Sequence, residues 1–188
     1  MSETMIKDSG NRRQFETGAV RDIQEGKGRC DLLPLDVISE LCNGDIFSRI
    51  YRFTQDGNVC WLYEVLSETM PKFGCYSNMI LEVSKHFEEG AKKYGEYNWQ
   101  KGIPAHCYID SAVRHLLKWI RNDNDEPHDR AFVWNIICCI WTCQHKPELN
   151  DYARVANVNL CISCGKIIPE GRQVCLECML GEDSYVED

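Results

Sequence analysis

The chain has 188 residues, 44% of them apolar and 27% charged, which supplies a core and a normally charged surface and excludes a wholly disordered or collagen-like chain. It has no run of about 18 apolar residues, which excludes a transmembrane helix. A formal net charge of −8 argues against non-specific nucleic-acid binding, although divalent ions can bridge an acidic protein to a polyphosphate.

The N-terminal stretch MSETMIKDSGNRRQFETG lacks the apolar segment of a secretory signal, so a cytoplasmic chain with no membrane partner is expected. In that compartment its 12 cysteines read as reduced thiols or metal ligands rather than a disulfide framework. Residues 1–16 are polar and expected to be frayed. An apolar-periodic run from Leu35 to Leu41 predicts a helix, with Pro34 in its first turn, where a missing N–H costs little. Residues 42–75 hold two short helical stretches, IFSRIYRF and CWLYEVLSETM, separated by the turn signal Gln55-Asp56-Gly57-Asn58. The segment has the character of an insertion.

Three longer helices follow. Ile80, Leu81, Val83, Phe87, Ala91 and Tyr94 recur at helical spacing over 77–95, and Gly95 is a natural stop. The helix over about 106–121 presents Ile109, Ala112, Val113, Leu116, Leu117 and Ile120 as its expected inner face. The helix over about 127–144, opened by Pro127, is apolar nearly all round and should be central. Cys138, Cys139 and Cys143 lie in it and read as small core residues. No alternating strand pattern occurs in the first 150 residues. The expected main domain, 17–145, is therefore an all-α helical bundle. A linker at 146–158, a miniature module at 159–179 and an acidic tail at 180–188 complete the chain.

The miniature module carries Cys161-x-x-Cys164 and Cys175-x-x-Cys178, ten residues apart. Each pair can grip one face of a tetrahedral ion at about 2.3 Å, and the pattern is that of a zinc ribbon or knuckle. Four thiolates leave Zn²⁺ no open position, so its role there is structural. Two redox pairs are the competing reading.

The three long helices also carry polar groups where leucine would be ordinary. Glu82, His86, Glu89 and Lys93 form one helical stripe. Asp110 and Arg114 stand at i, i+4, next to His115. Asp125, Glu126, His128 and Asp129 precede Trp134 and Asn135. Each set has a plainer reading, as a surface ion pair or a solvated face. Together they match the way bundles build divalent-metal sites from facing helices, and hard oxygen ligands suit Mg²⁺ or Mn²⁺. Arg21, Lys27 and Arg29, interspersed with Gly26 and Gly28, suit phosphate contact. Asn98-Trp99-Gln100-Lys101-Gly102 offers an aromatic plane, an amide and an ammonium, although Trp99 also fits a core position.

GAVRD (18–22), GKGRCDLLP (26–34), FEEGAKKYGEYNW (87–99), KGIP (101–104), YIDSAVRHLLKW (108–119) and DEPHDRAFVWN (125–135), taken in this order, resemble the phage and prophage dATP/dGTP diphosphohydrolase family in its N-terminal domain. That family is similar to the all-α MazG-like nucleoside triphosphate pyrophosphohydrolases. The resemblance spans about 17–145, interrupted by 42–75, and leaves out the four-cysteine module. It implies Mg²⁺- or Mn²⁺-dependent cleavage of a purine dNTP between its α- and β-phosphates, giving dNMP and pyrophosphate, and a homo-oligomer. Metal would fall to Glu89, Asp110, Glu126 and Asp129, with His115 and His128 as ligands or proton carriers. Phosphate would fall to Lys27, Arg29, Lys93, Lys101 and Arg114, and the nucleoside to Asn98 and Trp99, with Asn135 nearby. The chain departs from the MazG-like pattern in lacking ExxE. Its acidic helix start reads in two registers, Glu126-x-x-Asp129 or Asp125-x-x-His128, the second placing Asn135 seven residues after His128.

Two other functions are weighed. One is a zinc-knuckle protein that binds nucleotide or a partner without turnover. The other is an HD-type phosphohydrolase, from the dipeptide His128-Asp129 with His86 or His115 and Asp151, which would release triphosphate or a terminal phosphate.

Overall fold

A computed structural model describes residues 10–42, 44–153, 159–160, 167–168 and 178–179. The chain divides into two compact units, Met1–Ala153 and Arg154–Asp188. Among the described residues no helix is long and apolar enough to cross a membrane.

Prolines and glycines set the ends of the helices in the first unit. α1 (Leu35–Cys42) begins directly after Pro34, whose carbonyl accepts from the Ile38 amide at 3.0 Å. α2 (Asp45–Asp56) buries Phe47, Ile50 and Phe53, one residue per turn. Gly57 stops it in the left-handed region at φ 68°. A side chain could not stand there, because a Cβ would lie 2.4 Å from the Ala153 backbone. α3 (Cys60–Thr69) buries Leu62, Val65 and Thr69, and Arg49 of α2 pairs with Glu64 of α3 at 3.0 Å. The 42–75 stretch is thus a packed helical layer.

α4 (Tyr76–Tyr94), α5 (Ala105–Ile120) and α6 (His128–His145) form the body of the unit. α5 and α6 share its largest interface. As its near-continuous apolar sequence predicts, α6 is central, with twelve residues buried, including Phe132, Val133, Ile136, Cys138, Cys139 and Cys143. Burial pushes the Cys138 and Cys139 thiols up, so they remain protonated core groups.

The inner face of α4 differs from expectation. Met79, Val83 and His86 are its buried residues, whereas Ile80 and Leu81 are 59% and 64% exposed. Met79 and Ile80 both fall within helical spacing of Val83, and periodicity alone does not say which faces the core. Ile120, at the end of α5, is also exposed.

The N-terminal segment differs as well. Arg12–Gln14 (β1) and Val20–Asp22 (β2) pair antiparallel, Arg13 opposite Arg21. Charged residues fill most of these short strands, so no apolar alternation announces them. Tertiary bonds hold the hairpin in place. The Asn98 side chain accepts from the Val20 amide at 3.0 Å and donates to its carbonyl at 2.9 Å, serving as a third strand's worth of pairing. Thr17 Oγ1 donates to the Gly102 carbonyl at 2.6 Å, and Lys101 Nζ to that of Gly18 at 3.2 Å.

The first unit also reaches past the expected start of the linker at 146. Pro147–Leu149 forms a 3-10 turn. Asn150 Nδ2 donates to the Gly57 carbonyl at 2.9 Å, and Tyr152 meets the Phe53 ring edge-on at 5.4 Å. Asp151 accepts from the His106 amide at 3.0 Å and pairs with the His106 ring.

In the second unit, β3 (Asn159–Leu160) pairs antiparallel with β4 (Ile167–Ile168). Cys178 is exposed. Cys161, Cys164 and Cys175 lie outside the described residues, as do residues 1–9 and the tail at 180–188.

Candidate active site

A cleft of about 940 Å³ opens between α4, α5, the start of α6 and the N-terminal hairpin. Its α5 wall is one helical stripe: Cys107, Asp110, Ser111, Arg114, His115 and Lys118, at i, i+3, i+4 spacing. α4 contributes His86, Phe87, Gly90 and Ala91, and α6 contributes Trp134 and Asn135. Small residues at Gly90 and Ala91 keep the space open, and nothing lies within 4 Å of where a Gly90 Cβ would stand.

The cleft has two chemically different ends. At one, His115, Glu126 and His128 bring their ligand atoms within 4.8 Å of one another, with Lys27, Arg114 and Lys118 on the same wall. His128 is 2% exposed. Its Nε2 faces Asp125 Oδ1 at 2.7 Å and its Nδ1 faces His115 Nδ1 at 2.9 Å. A carboxylate that accepts the Nε2 proton leaves the Nδ1 lone pair toward His115, and a carboxylate steers metal-binding imidazoles in the same way. Burial first, and the facing His128 second, hold His115 well below the usual imidazole range. His115 is therefore neutral and able to ligate. Asp123, Asp125 and His128 form a second group of the same kind.

At the other end the walls are aromatic. Trp99 meets Phe87 edge-on at 5.4 Å and Trp141 at 5.0 Å. Phe15 of the hairpin also lines this end, with the Arg13 guanidinium 4.4 Å from its ring.

Asp110 organises the wall between them. Oδ1 accepts from the Cys30 amide at 2.6 Å and Oδ2 from Gln24 Nε2 at 2.8 Å, and Arg114 also donates to it. Arg114 Nε reaches the Lys27 carbonyl at 3.1 Å. With Asp110 only 2% exposed, this is no surface ion pair. The carboxylate and guanidinium staple the arm at 24–30 onto α5, which delivers Lys27 to the cleft. Arg21 Nη2 donates to Asn135 Oδ1 at 2.9 Å, and its guanidinium lies 5.6 Å from the Trp134 ring.

Of the residues singled out in the sequence, Lys27, Trp99, Asp110, Arg114, His115, Glu126 and Asn135 line the cleft, as does Asn98, whose amide is committed to β2. His128 sits directly behind His115. Five others lie elsewhere. Glu89 pairs with Arg130 at 2.6 Å. Asp129 accepts from the Arg130 amide at 2.7 Å. Arg29 pairs with Asp31 at 2.5 Å, Lys93 with Asp22 at 2.7 Å, and Lys101 reaches Gly18. Of the two registers at the start of α6, Asp125 and His128 are joined by a hydrogen bond. Asp151, needed for an HD-type arrangement, is engaged by His106. Sequence reasoning passed over Lys118 and Gln24; Lys118 falls on the Asp110–Arg114 stripe, whereas no local signal marked Gln24.

The fold and the cleft define a helical protein whose pocket, large enough for a nucleotide, sets lysines and arginines beside imidazoles and carboxylates. Residues 69–152 match the family model described as dATP/dGTP diphosphohydrolase, N-terminal. The match covers less than half the chain, from the end of α3 through α6, and supports the family indicated by the motifs at 87–135. No curated protein and no solved structure matches the chain.

Proposed function

We propose that the chain is a divalent-metal-dependent hydrolase of purine deoxynucleoside triphosphates, releasing the monophosphate and pyrophosphate. The observation that carries this reading is the convergence of His115, Glu126 and His128 at the cationic end of the cleft, within the stretch that matches the family. Two imidazoles and a carboxylate suit a transition ion such as Mn²⁺ better than Mg²⁺, which prefers oxygen donors, in a site that also admits water and phosphate oxygens. A cation held there would supply charge neutralisation and Lewis-acid activation of water.

The protein's own groups do the rest. Lys27, Arg114 and Lys118 bind the polyphosphate and orient it along the α5 wall. Asp125 fixes the orientation of the His128 ring through its Nε2. Glu126 is placed to take the proton of an attacking water. Asp110 positions the arm that carries Lys27 and has its oxygens engaged in doing so. Phe87 and Trp99 face the base.

The test is a product assay. The protein with Mn²⁺ or Mg²⁺ receives each dNTP and NTP, and products are separated by ion exchange. A dNMP with pyrophosphate, lost in Glu126→Gln, is expected. Triphosphate or orthophosphate would transfer the chain to HD-type chemistry. Stoichiometric binding without turnover would make it a binding protein. The four-cysteine module is proposed to hold one structural Zn²⁺, tested by metal content of the wild type against Cys161→Ser.

A further inference from the structure

Buried polar side-chain atoms without partners are uncommon, and each one asks for a cause. His86 Nδ1 and Trp134 Nε1 are buried with no hydrogen-bond partner, and both residues line the cleft. Among the described residues, no other that lines the cleft has such an atom. His86 is only 9% exposed, and its ring centroid lies 5.4 Å from that of Trp134, tilted by 51°.

The two atoms have complementary chemistry. An indole N–H only donates. Burial first, and then Arg130 and Arg21, push the His86 imidazole down to about 3, so the ring is neutral at working pH and has an accepting nitrogen. A donor beside an acceptor suits a hydroxyl, which accepts and donates at one oxygen. A base carbonyl or exocyclic amine provides only one of these functions.

Their position along the cleft narrows the choice. His86 and His115, the latter at the end that carries Lys27 and Arg114, line the same cleft. Trp134 stands 5.8 Å from Phe87, which stands 5.4 Å from Trp99 at the aromatic end. His86 and Trp134 therefore lie between the phosphate-binding groups and the aromatic walls, where a nucleotide has its sugar. A deoxynucleoside triphosphate has one free sugar hydroxyl. We infer that His86 and Trp134 form a subsite for the 3′-hydroxyl of the substrate sugar, Trp134 Nε1–H donating to it and His86 Nδ1 accepting from it. This rests on the proposed nucleotide reading.

The experiment is calorimetric titration of the full chain with dATP and with 2′,3′-dideoxy-ATP, both with Ca²⁺ as divalent ion to slow turnover. Wild type should bind dATP at least about tenfold more tightly, because the dideoxy analogue leaves two buried polar atoms unpaired. The ratio should approach one in Trp134→Phe and His86→Leu, and largely survive in His86→Asn, which keeps a polar atom near the Nδ1 position. Equal affinities in wild type, with dATP bound, overturn the subsite and leave the nucleotide reading standing. Failure of wild type to bind either ligand overturns both. The wild-type comparison needs no variant to fold.

Discussion

The two halves of α6 are one continuous helix, yet the basic side chains that it buries all lie in the first. From His128 to Asn135 the helix takes His128, Arg130 and Asn135 out of water, and Asp125, Glu89 and Arg21 answer them. From Ile136 to Cys143 it buries Ile136, Cys138, Cys139 and Ile140, and its Thr142 hydroxyl meets the Tyr108 hydroxyl at 3.3 Å. Burying polar and charged groups costs stability even when they are paired, and the second half avoids that cost. The first half accepts it at His128 and Arg130, which pair with Asp125 and Glu89, and at Asn135 on the cleft wall. The difference teaches that the first half is shaped by its polar pairings with α4, the hairpin and the cleft wall, and the second half by core packing.

Variants in the two halves should therefore part company. Ile136→Ala should lower stability by about 4 kcal/mol in chemical denaturation. Its kcat/KM, measured below the unfolding transition, should stay within a few-fold of wild type; a collapse of kcat/KM would erase the division between the halves. Arg130→Met should cost about 3 kcal/mol by leaving the part-buried Glu89 uncompensated, and Glu89→Leu in the same chain should restore most of it. His115→Ala and Asp125→Asn should do the reverse of Ile136→Ala. Stability should change little, while turnover and Mn²⁺ affinity fall about 10- to 100-fold for Asp125→Asn and further for His115→Ala.

Solution pH separates the cleft from the clamp at the start of α5. His115 is held neutral, so it lends no pH dependence near neutrality. His106 is raised from 6.5 to about 10, chiefly by its hydrogen bond to Asp151 and then by that to Cys107. For Asp151, burial pushes upward but the hydrogen bonds from His106 prevail and lower it below 3.8. The clamp is therefore fully stabilising from above 3.8 to below 6.5, and its contribution fades as pH rises through about 10. Thermal melts of wild type and Asp151→Asn should differ most near pH 5–6 and converge near pH 10–11. A difference that grows with pH would contradict this assignment. The smallest effect belongs to Gly90→Ala, which should raise stability by about 0.5–1 kcal/mol while weakening nucleotide binding, since the added methyl enters open cleft space.

Much of this architecture was legible in the chain. The three long helices showed in apolar spacing and in the punctuation of Pro127 and Gly95. The α5 stripe of Asp110, Arg114 and His115 marked a site because three polar groups shared one turn-by-turn face. Local pattern failed where partners are distant in sequence. The strands of the N-terminal hairpin are mostly charged, and it forms because Asn98, some 78 residues away, supplies its missing bonds. On α4, Ile80 and Leu81 fit the helical period of Val83 and Phe87, but Val83 is buried with Met79 while Ile80 and Leu81 are exposed. Glu89 and Asp129 had the right chemistry for metal, but Arg130 claims the first as an ion-pair partner and the second through its backbone amide.

Helix order, the central place of α6 and the family resemblance at 87–135 were already in the order of residues, because hydrophobic period and helix-stop chemistry are local properties. Which carboxylates stay with the cleft and which are consumed by arginines was set by the crossing of α4, α5 and α6. A side chain's partners depend on distances between segments, and those distances exist only once the core has packed.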